Sequence, residues 1–324
     1  IEFGGFEFDV DEEINGLTMG GVGAGTTVEF VEVVGNTDDG FEWFGGTVNT
    51  KYLVSYANQD ESFDLDEGHQ GTHQFWFALM STLSDNATEA DGGNGDDKTL
   101  DPLTLSQVYN ATYVGGGASG KLGTSAFRLK ENHAGAYYNS IFTEFPEWLM
   151  RVDDADTVAQ AGVNLKFENN IWGTFGLNGG GSGNANEGAA PGAAAETALL
   201  GGAGNTSTGT DPLFSAFSRS GGEVATIDPR PMIAGPAYGN DVTPCGPCPV
   251  NYRGAFGTSN WAASWTYIAE YGILVDSFVA PAITVVDVSG TNITADTTWD
   301  SDTNDDGVVD RIYFMGDVVT VKDP

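Results

Sequence analysis

Thr27-Val28-Glu29-Phe30-Val31-Glu32-Val33, Asn49-Thr50-Lys51-Tyr52-Leu53-Val54-Ser55 and Gly71-Thr72-His73-Gln74-Phe75-Trp76-Phe77 can be laid over one another at a constant step of 22 residues. Between them, Asp38-Asp39-Gly40-Phe41-Glu42 and Asp60-Glu61-Ser62-Phe63-Asp64 recur at the same step, so that Phe41 falls on Phe63 and Glu42 on Asp64. Short β-branched or aromatic runs separated by Gly, Asn and Asp turns at such a period are the mark of a parallel β-solenoid. One coil buries little by itself. Stacked coils place inward Val, Leu and Phe in ladders and pair each backbone with the coils above and below at about 4.8 Å.

Working outward, Asn15-Gly16-Leu17-Thr18-Met19 offers an earlier rung. Val108-Tyr109-Asn110-Ala111-Thr112-Tyr113 and Ala136-Tyr137-Tyr138-Asn139-Ser140-Ile141-Phe142 continue the stack at a wider step of 28 residues. The predicted fold is all-β: a right-handed parallel β-helix over residues 1–274, with an extended β-rich tail over 275–324. Residues 173–207 are rich in Gly, Ala and Asn and read as an excursion from the solenoid, with a short helical stretch at 195–200. Asn260 is placed to cap a helix starting at Trp261, with Trp265, Ile268 and Ala269 on one face and Gly272 ending it. That C-terminal helix is expected to cap an open end, whose unpaired strand edges would otherwise be free to join another chain.

The chain has 324 residues, 40% of them hydrophobic, enough for one large core. Asp and Glu outnumber Lys and Arg 46 to 12, a formal net charge of −34, which repels nucleic acid and anionic lipid and attracts metal cations. The excess suits a saline habitat, where salt screens the self-repulsion. No apolar run reaches the length of a membrane span. Cys245 and Cys248, in Pro-Cys-Gly-Pro-Cys-Pro, suit either a small local disulfide in an oxidising compartment or a free dithiol. A thioredoxin-type role would need a strand before the motif and a helix after it, and the flanking prolines imply a loop.

Two acidic sets are candidate calcium ligands. Asp302-Thr303-Asn304-Asp305-Asp306-Gly307-Val308-Val309-Asp310 has the D-x-N-x-D-G spacing in which the oxygens of Asp302, Asn304 and Asp306 converge around a glycine turn, with Asp310 available at the ninth position. Tyr313 stands where an EF-hand glutamate would be, so the loop is of the shorter extracellular kind. The second set is the stack of Asp38, Asp39, Asp60, Glu61 and Asp64, with Glu42 and Asp66 alongside, where like charges in adjacent coils call for a cation. In polysaccharide lyases built on β-helices, a comparable face works with an Arg or Lys base. Here only Lys51 lies near in register, and its strand does not bring it beside the acids.

Other signals are weaker. His69 and His73 are four apart with no helix to align them, which argues against a zinc pair, and His133 is isolated. Gly20, Gly21, Gly23 and Gly25 precede a strand, which excludes a dinucleotide fingerprint. Glycosylation sequons occur at Asn86, Asn110, Asn205 and Asn292. Of Trp43, Trp76, Tyr52, Tyr56, Tyr137 and Tyr138, about half are expected in the core ladder and the rest could offer rings to a sugar.

Ile1-Glu2-Phe3-Gly4-Gly5, Asn15-Gly16-Leu17-Thr18, Gly21-Val22-Gly23-Ala24-Gly25-Thr26-Thr27, residues 38–46, Asp228-Pro229-Arg230-Pro231, Asn251-Tyr252-Arg253-Gly254-Ala255-Phe256 and Trp261 resemble a family of secreted right-handed β-helix surface proteins and lipoproteins of Bacteroidetes-like and other marine bacteria. The resemblance is scattered over residues 1–274 and implies a fold without an assigned reaction. It also implies that residues 290–299 and the strand at 312–321, which resemble the opening of a β-helix, either begin a tandem domain or complete a neighbouring copy by strand addition, giving a homo-oligomer that can grow into a filament. The expected protein is extracellular or at the outer cell surface, structural or adhesive rather than enzymatic, with calcium as its cofactor. The alternative is a carbohydrate-binding or lyase-like polysaccharide-degrading protein.

Overall fold

The computed structural model describes residues 14–93, 98, 100–177, 192–208, 214–233, 235–238 and 246–277, and the backbone of 284–287 and 311–314. Two parallel sheets carry the chain. The smaller runs in spatial order through β1 (Leu17–Gly20), β3 (Phe41–Phe44), β5 (Phe63–Asp66), β7 (Thr88–Asp91), β10 (Ser125–Lys130) and β13 (Trp148–Val152). The larger begins with β2 (Thr27–Val34), β4 (Asn49–Tyr56) and β6 (Thr72–Leu79). It continues as two shorter tracks: β8 (Gln107–Tyr109), β11 (Ala136–Tyr138) and β14 (Lys166–Glu168), and beside them β9 (Thr112–Val114), β12 (Ile141–Thr143), β15 (Ile171–Trp172) and β16 (Thr206–Ser207).

The register follows the sequence repeat closely but not everywhere. Thr27 lies opposite Asn49, Phe41 opposite Phe63 and Glu42 opposite Asp64, as the step of 22 predicts. Thr50, however, pairs with His73, and Val108 with Tyr137, each one residue later than the alignments placed them. In the first case the cause is local. Four residues join Phe44 to Asn49 but five join Asp66 to Thr72; both corners turn through two residues of positive φ, Gly45 and Gly46 in the first and Glu67 and Gly68 in the second, and the extra residue of the longer one shifts the pairing that follows.

The two tracks of the larger sheet meet at a bend that recurs in every coil. Phe30, Tyr52, Phe75, Asn110, Asn139 and Asn169 occupy matching positions, and each has a φ between 50° and 59°. Asn tolerates this left-handed conformation, whereas bulky aromatics do so at a cost of about 1–2 kcal/mol each. Here the aromatics offset part of it by stacking. Phe30 lies on Tyr52 at 4.5 Å between ring centroids, and Tyr52 on Phe75 at 5.0 Å.

Between the sheets runs a continuous ladder of buried side chains. Phe41 stacks on Phe63, Phe63 on Trp76 at 4.3 Å, and Trp43 on Trp76 at 5.1 Å, all fully buried. The ladder continues through Tyr113, Phe127, Phe142, Phe167 and Trp172. Of the six aromatics weighed as a sugar platform, Trp43, Trp76 and Tyr137 are core; Tyr52, Tyr56 and Tyr138 are half-buried.

The predicted helix at 195–200 is α2 (Ala193–Leu200), following the shorter α1 (Ala155–Gln160). It lies against β13 and β14, buries Leu199 in the interior ladder, and presents Glu196, whose Oε1 accepts the edge N–H of Val152 at 2.8 Å. The helix expected from Trp261 is different in form and place. Residues 261–265 are turns, and α3 (Tyr267–Glu270) is one short helix capped by the Thr266 side chain rather than by Asn260. It rests on the side of β2, where Tyr267 N and Ile268 N donate to Glu32.

With it, the antiparallel hairpin β17 (Phe214–Ser220) and β18 (Glu223–Pro231) and the loops to residue 277 cover the outward side of the larger sheet. Phe214, Ile227, Phe256 and Ile268 pack there on Val54, Phe77, Val114, Ile141 and Ile171. The same flank sets Trp265 edge-on to Phe30 and Trp261 against Tyr52. In the tail, Thr284–Asp287 pairs in parallel with Arg311–Phe314. Among the described residues no helix is long and apolar enough to cross a membrane.

Candidate functional site: the acidic face of the smaller sheet

Alternation along each short strand turns Phe41, Trp43, Phe63 and Leu65 inward, and so turns Glu42, Asp64 and Glu89 outward in one row. The turns before β3 and β5 add Asp38, Asp39, Asp60 and Glu61. Two groups converge so that one carboxylate oxygen from each member lies within 4.8 Å of the others: Asp38 with Asp39 and Asp60, and Asp39 with Glu42 and Asp64. Asp39 belongs to both. Of the predicted ligands, Glu61 is drawn aside, its Oε1 accepting from Asn86 Nδ2 at 2.7 Å while its backbone N–H donates to Asp39 Oδ1 at 3.0 Å.

These acids are poorly solvated. Asp39 and Glu42 are 5% and 8% exposed, and Asp64 Oδ1 and Asp91 Oδ1 are buried with no hydrogen-bond partner among the described residues. Burial, then the neighbouring Glu61 and Asp60, raise the Asp39 carboxyl well above its ordinary range. Burial and Asp39 do the same to Asp64. Glu42 is pushed up to about 8 by burial and Asp38, and Asp91 to about 7 by burial against the opposing pull of Lys130. A hard divalent cation ligated by carboxylate oxygens would answer the demands of Asp39, Glu42 and Asp64 together.

The same face carries three bases that the sequence reading missed. Arg128 follows Glu89 in the row, Lys130 follows Asp91, and Arg151 follows Arg128. Arg128 pairs with Glu89 at 2.7 Å and Asp153 at 3.1 Å; Lys130 pairs with Glu89 and with Asp91 at 3.1 Å. The step from Thr88 to its partner Phe127 is far longer than 22 residues, so the repeat does not point to them. Lys51, the base singled out from sequence, sits on the other sheet with its Nζ 3.2 Å from Cys248 Sγ.

Burial alone would lower the Lys130 and Arg128 pKa values, but the bonds and charges of Glu89, Asp91 and Asp153 outweigh it and hold both above their ordinary values. Both are thereby held as cations that tie neighbouring strands of the face together through ion pairs.

His69 and His73, judged unsuited to a zinc pair, do meet, inside the solenoid. Their Nε2 atoms are 3.0 Å apart and both rings are fully buried. The remaining nitrogens are taken. His69 Nδ1 donates to Gly45 O at 2.8 Å, and His73 Nδ1 lies 2.9 Å from Thr50 Oγ1, which also accepts from Trp76 Nε1. No nitrogen is left for a metal. His133 is buried too, its Nε2 accepting from Gly135 N.

The sequons at Asn86 and Asn110 are on buried, hydrogen-bonded side chains, and Asn205 spends its Nδ2 on the Phe167 and Leu199 carbonyls; none of the three presents its amide nitrogen to a sugar in the folded chain. Asn292, Cys245 and the calcium-type loop of Asp302, Asn304, Asp306 and Asp310 lie outside the described residues.

A family model described as a pectate-lyase-like β-helix domain matches residues 1–207, which include the whole acidic face. No curated protein and no solved structure matches the chain.

Proposed function

Since the chain belongs to the family of pectate-lyase-like β-helix domains, we propose that it is a non-catalytic β-solenoid of the cell exterior, structural or adhesive, whose acidic face takes up calcium and through it holds the carboxylates of an acidic polysaccharide. The observation that carries this reading is the convergence of Asp39, Glu42 and Asp64 within 4.8 Å, with Asp64 Oδ1 buried and undonated. At a net charge of −34 a uronate polymer is repelled unless a cation stands between the two. Bound calcium would supply that bridge, with Asp38, Asp39, Asp60, Glu42 and Asp64 as its ligands from this chain.

Polysaccharide degradation is the second reading, favoured by the family and by the Arg and Lys beside the acids. Against it stands the engagement of all three bases in ion pairs, Arg128 with Glu89 and Asp153, Lys130 with Glu89 and Asp91, and Arg151 with Asp153, since elimination needs a group free to remove a proton from the sugar. The calcium-type loop at 302–310, a Cys245–Cys248 disulfide, a right-handed coil, secretion to the outer surface and strand addition of the tail to a neighbouring copy or tandem domain belong to the same proposal.

The test is calorimetric titration of calcium into chelator-stripped protein, repeated with Asp64→Asn, followed by retention of polygalacturonate or alginate with and without chelator. Asp64→Asn is expected to weaken calcium binding by about tenfold or more, equivalent to about 1.4 kcal/mol. Glycan retention is expected only with calcium and without unsaturated product. Calcium binding indifferent to Asp64→Asn would remove the site, and accumulation of unsaturated uronate would hand the face to the lyase reading.

A further inference from the structure

The five converging acids belong to two places in the coil. Asp38 and Asp39 stand in the turn before β3 and Asp60 in the turn before β5, whereas Glu42 and Asp64 are outward residues of the strands themselves, paired in register. Asp38, Asp39 and Asp60 bring one oxygen each within 4.8 Å of the others, and so do Asp39, Glu42 and Asp64, but the two sets do not merge into one of five. A calcium ion holds its oxygens at about 2.3–2.6 Å, so opposite ligands of one ion are at most about 5 Å apart. Each set therefore fits the shell of one ion, and all five together do not.

Asp39 is common to both sets and 5% exposed. Its Oδ1 accepts the Glu61 N–H at 3.0 Å, which fixes the carboxylate across the two turns, and no donor among the described residues reaches Oδ2. Asp64 adds its buried Oδ1, also without a donor. A cation seated directly between such oxygens needs no open cavity. Charge argues for the number of ions. The ion pairs on this side of the molecule go to Asp85, Glu89, Asp91 and Asp153, and none reaches Asp39, Glu42, Asp60 or Asp64. One divalent ion among five carboxylates leaves three negative charges crowded where water is scarce, and a second ion leaves one.

We propose that the acidic face holds a pair of calcium ions with Asp39 as the bridging carboxylate: a turn ion with Asp38 and Asp60, and a face ion with Glu42 and Asp64. The proposal rests on the calcium reading of this face and adds a second site to it. The two ions hold different things. The turn ion staples the corners of successive coils, whose backbones already meet where Gly40 N donates to Glu61 O at 2.8 Å. The face ion lies in the outward row, where Asp64 is followed by Glu89, and is the one that meets a glycan.

Equilibrium dialysis of the intact chain against about 5 mM calcium, in about 0.15 M potassium chloride to screen diffuse binding, tests it, with bound metal counted by mass spectrometry. Asp39→Asn keeps the Oδ1 acceptor and gives the baseline for the tail loop and the rest of the acidic surface. The unaltered chain is expected to hold two ions more than Asp39→Asn, and Asp60→Asn and Asp64→Asn one more each, all three variants melting in chelator no lower than the unaltered chain. One ion above the baseline in the unaltered chain, or two in Asp60→Asn, overturns the pair and leaves a single-ion site standing. No ion above the baseline in the unaltered chain overturns the calcium reading itself.

Discussion

Glu42 shows how a single side chain sets the behaviour of the acidic face. Its folded pKa of about 8 lies above the ordinary 4.5, so the folded state holds a proton that the unfolded state releases at neutral pH. Glu42→Gln removes that burden and is expected to raise stability in chelator at pH 7 by about 1–3 kcal/mol, read as a higher urea midpoint at constant slope; a lower midpoint would contradict the assigned environment. The histidine pair is the opposite case, a polar group that fits. Trp76 Nε1 donates to Thr50 Oγ1, Thr50 to His73 Nδ1, His73 Nε2 to His69 Nε2, and His69 Nδ1 to Gly45 O, an order open only to neutral rings. His73→Leu leaves the Thr50 hydroxyl without its acceptor and His69 Nε2 without its donor and is expected to cost about 2–4 kcal/mol in the same assay. Neither histidine's place could be read from residues 69–73, because the corner that carries His69 inward is the one that breaks the step of 22.

At the scale of elements, β2 to β6 were legible because three successive coils keep one length and one alternation, and strand side chains report their face directly. The short strands β8 to β15 were partly legible through Tyr109, Tyr138 and Phe142. Arg128 and Lys130 were hidden by the long insertion between β7 and β10, which no period spans. The caps were misplaced for a different reason. Apolar spacing around Trp261 and Ile268 does signal a packed segment, but not which surface it packs on, and the helix that meets the final strands is α2, from the Gly-rich excursion. Its Glu196 carboxylate takes the place of a missing strand at Val152 N. Leu199→Ala is expected to cost about 2–5 kcal/mol, and Glu196→Ala about 1–3 kcal/mol with faster amide exchange concentrated in β13. Uniform exchange across both sheets in Glu196→Ala would deny α2 that role.

For the whole molecule, the two kinds of buried titratable group pull in opposite directions with pH. Raised carboxyls such as Glu42 and Asp91 weigh least below their unfolded values near 4 and weigh more as pH rises toward 7 and 8. Buried histidines contribute fully above 6.5 and lose that contribution as pH falls toward about 4 for His69. In chelator, the melting temperature is therefore expected to rise as pH falls from 8 to about 6.5, and the rise should flatten or reverse below that; with calcium the high-pH loss should shrink. A profile flat from pH 8 to 6.5 in chelator would show that the acids are not strained.

The hairpin and loops along the larger sheet have a further consequence. A pile of coils touching only its neighbours can fray rung by rung from either extremity. This one is strapped lengthwise: Glu32 on β2 is held by Tyr267 N, and Val54, Phe77, Val114, Ile141 and Ile171 on five further strands pack on the same flank, so these rungs share one fastening. Strands that would otherwise fray in turn are thereby expected to open together.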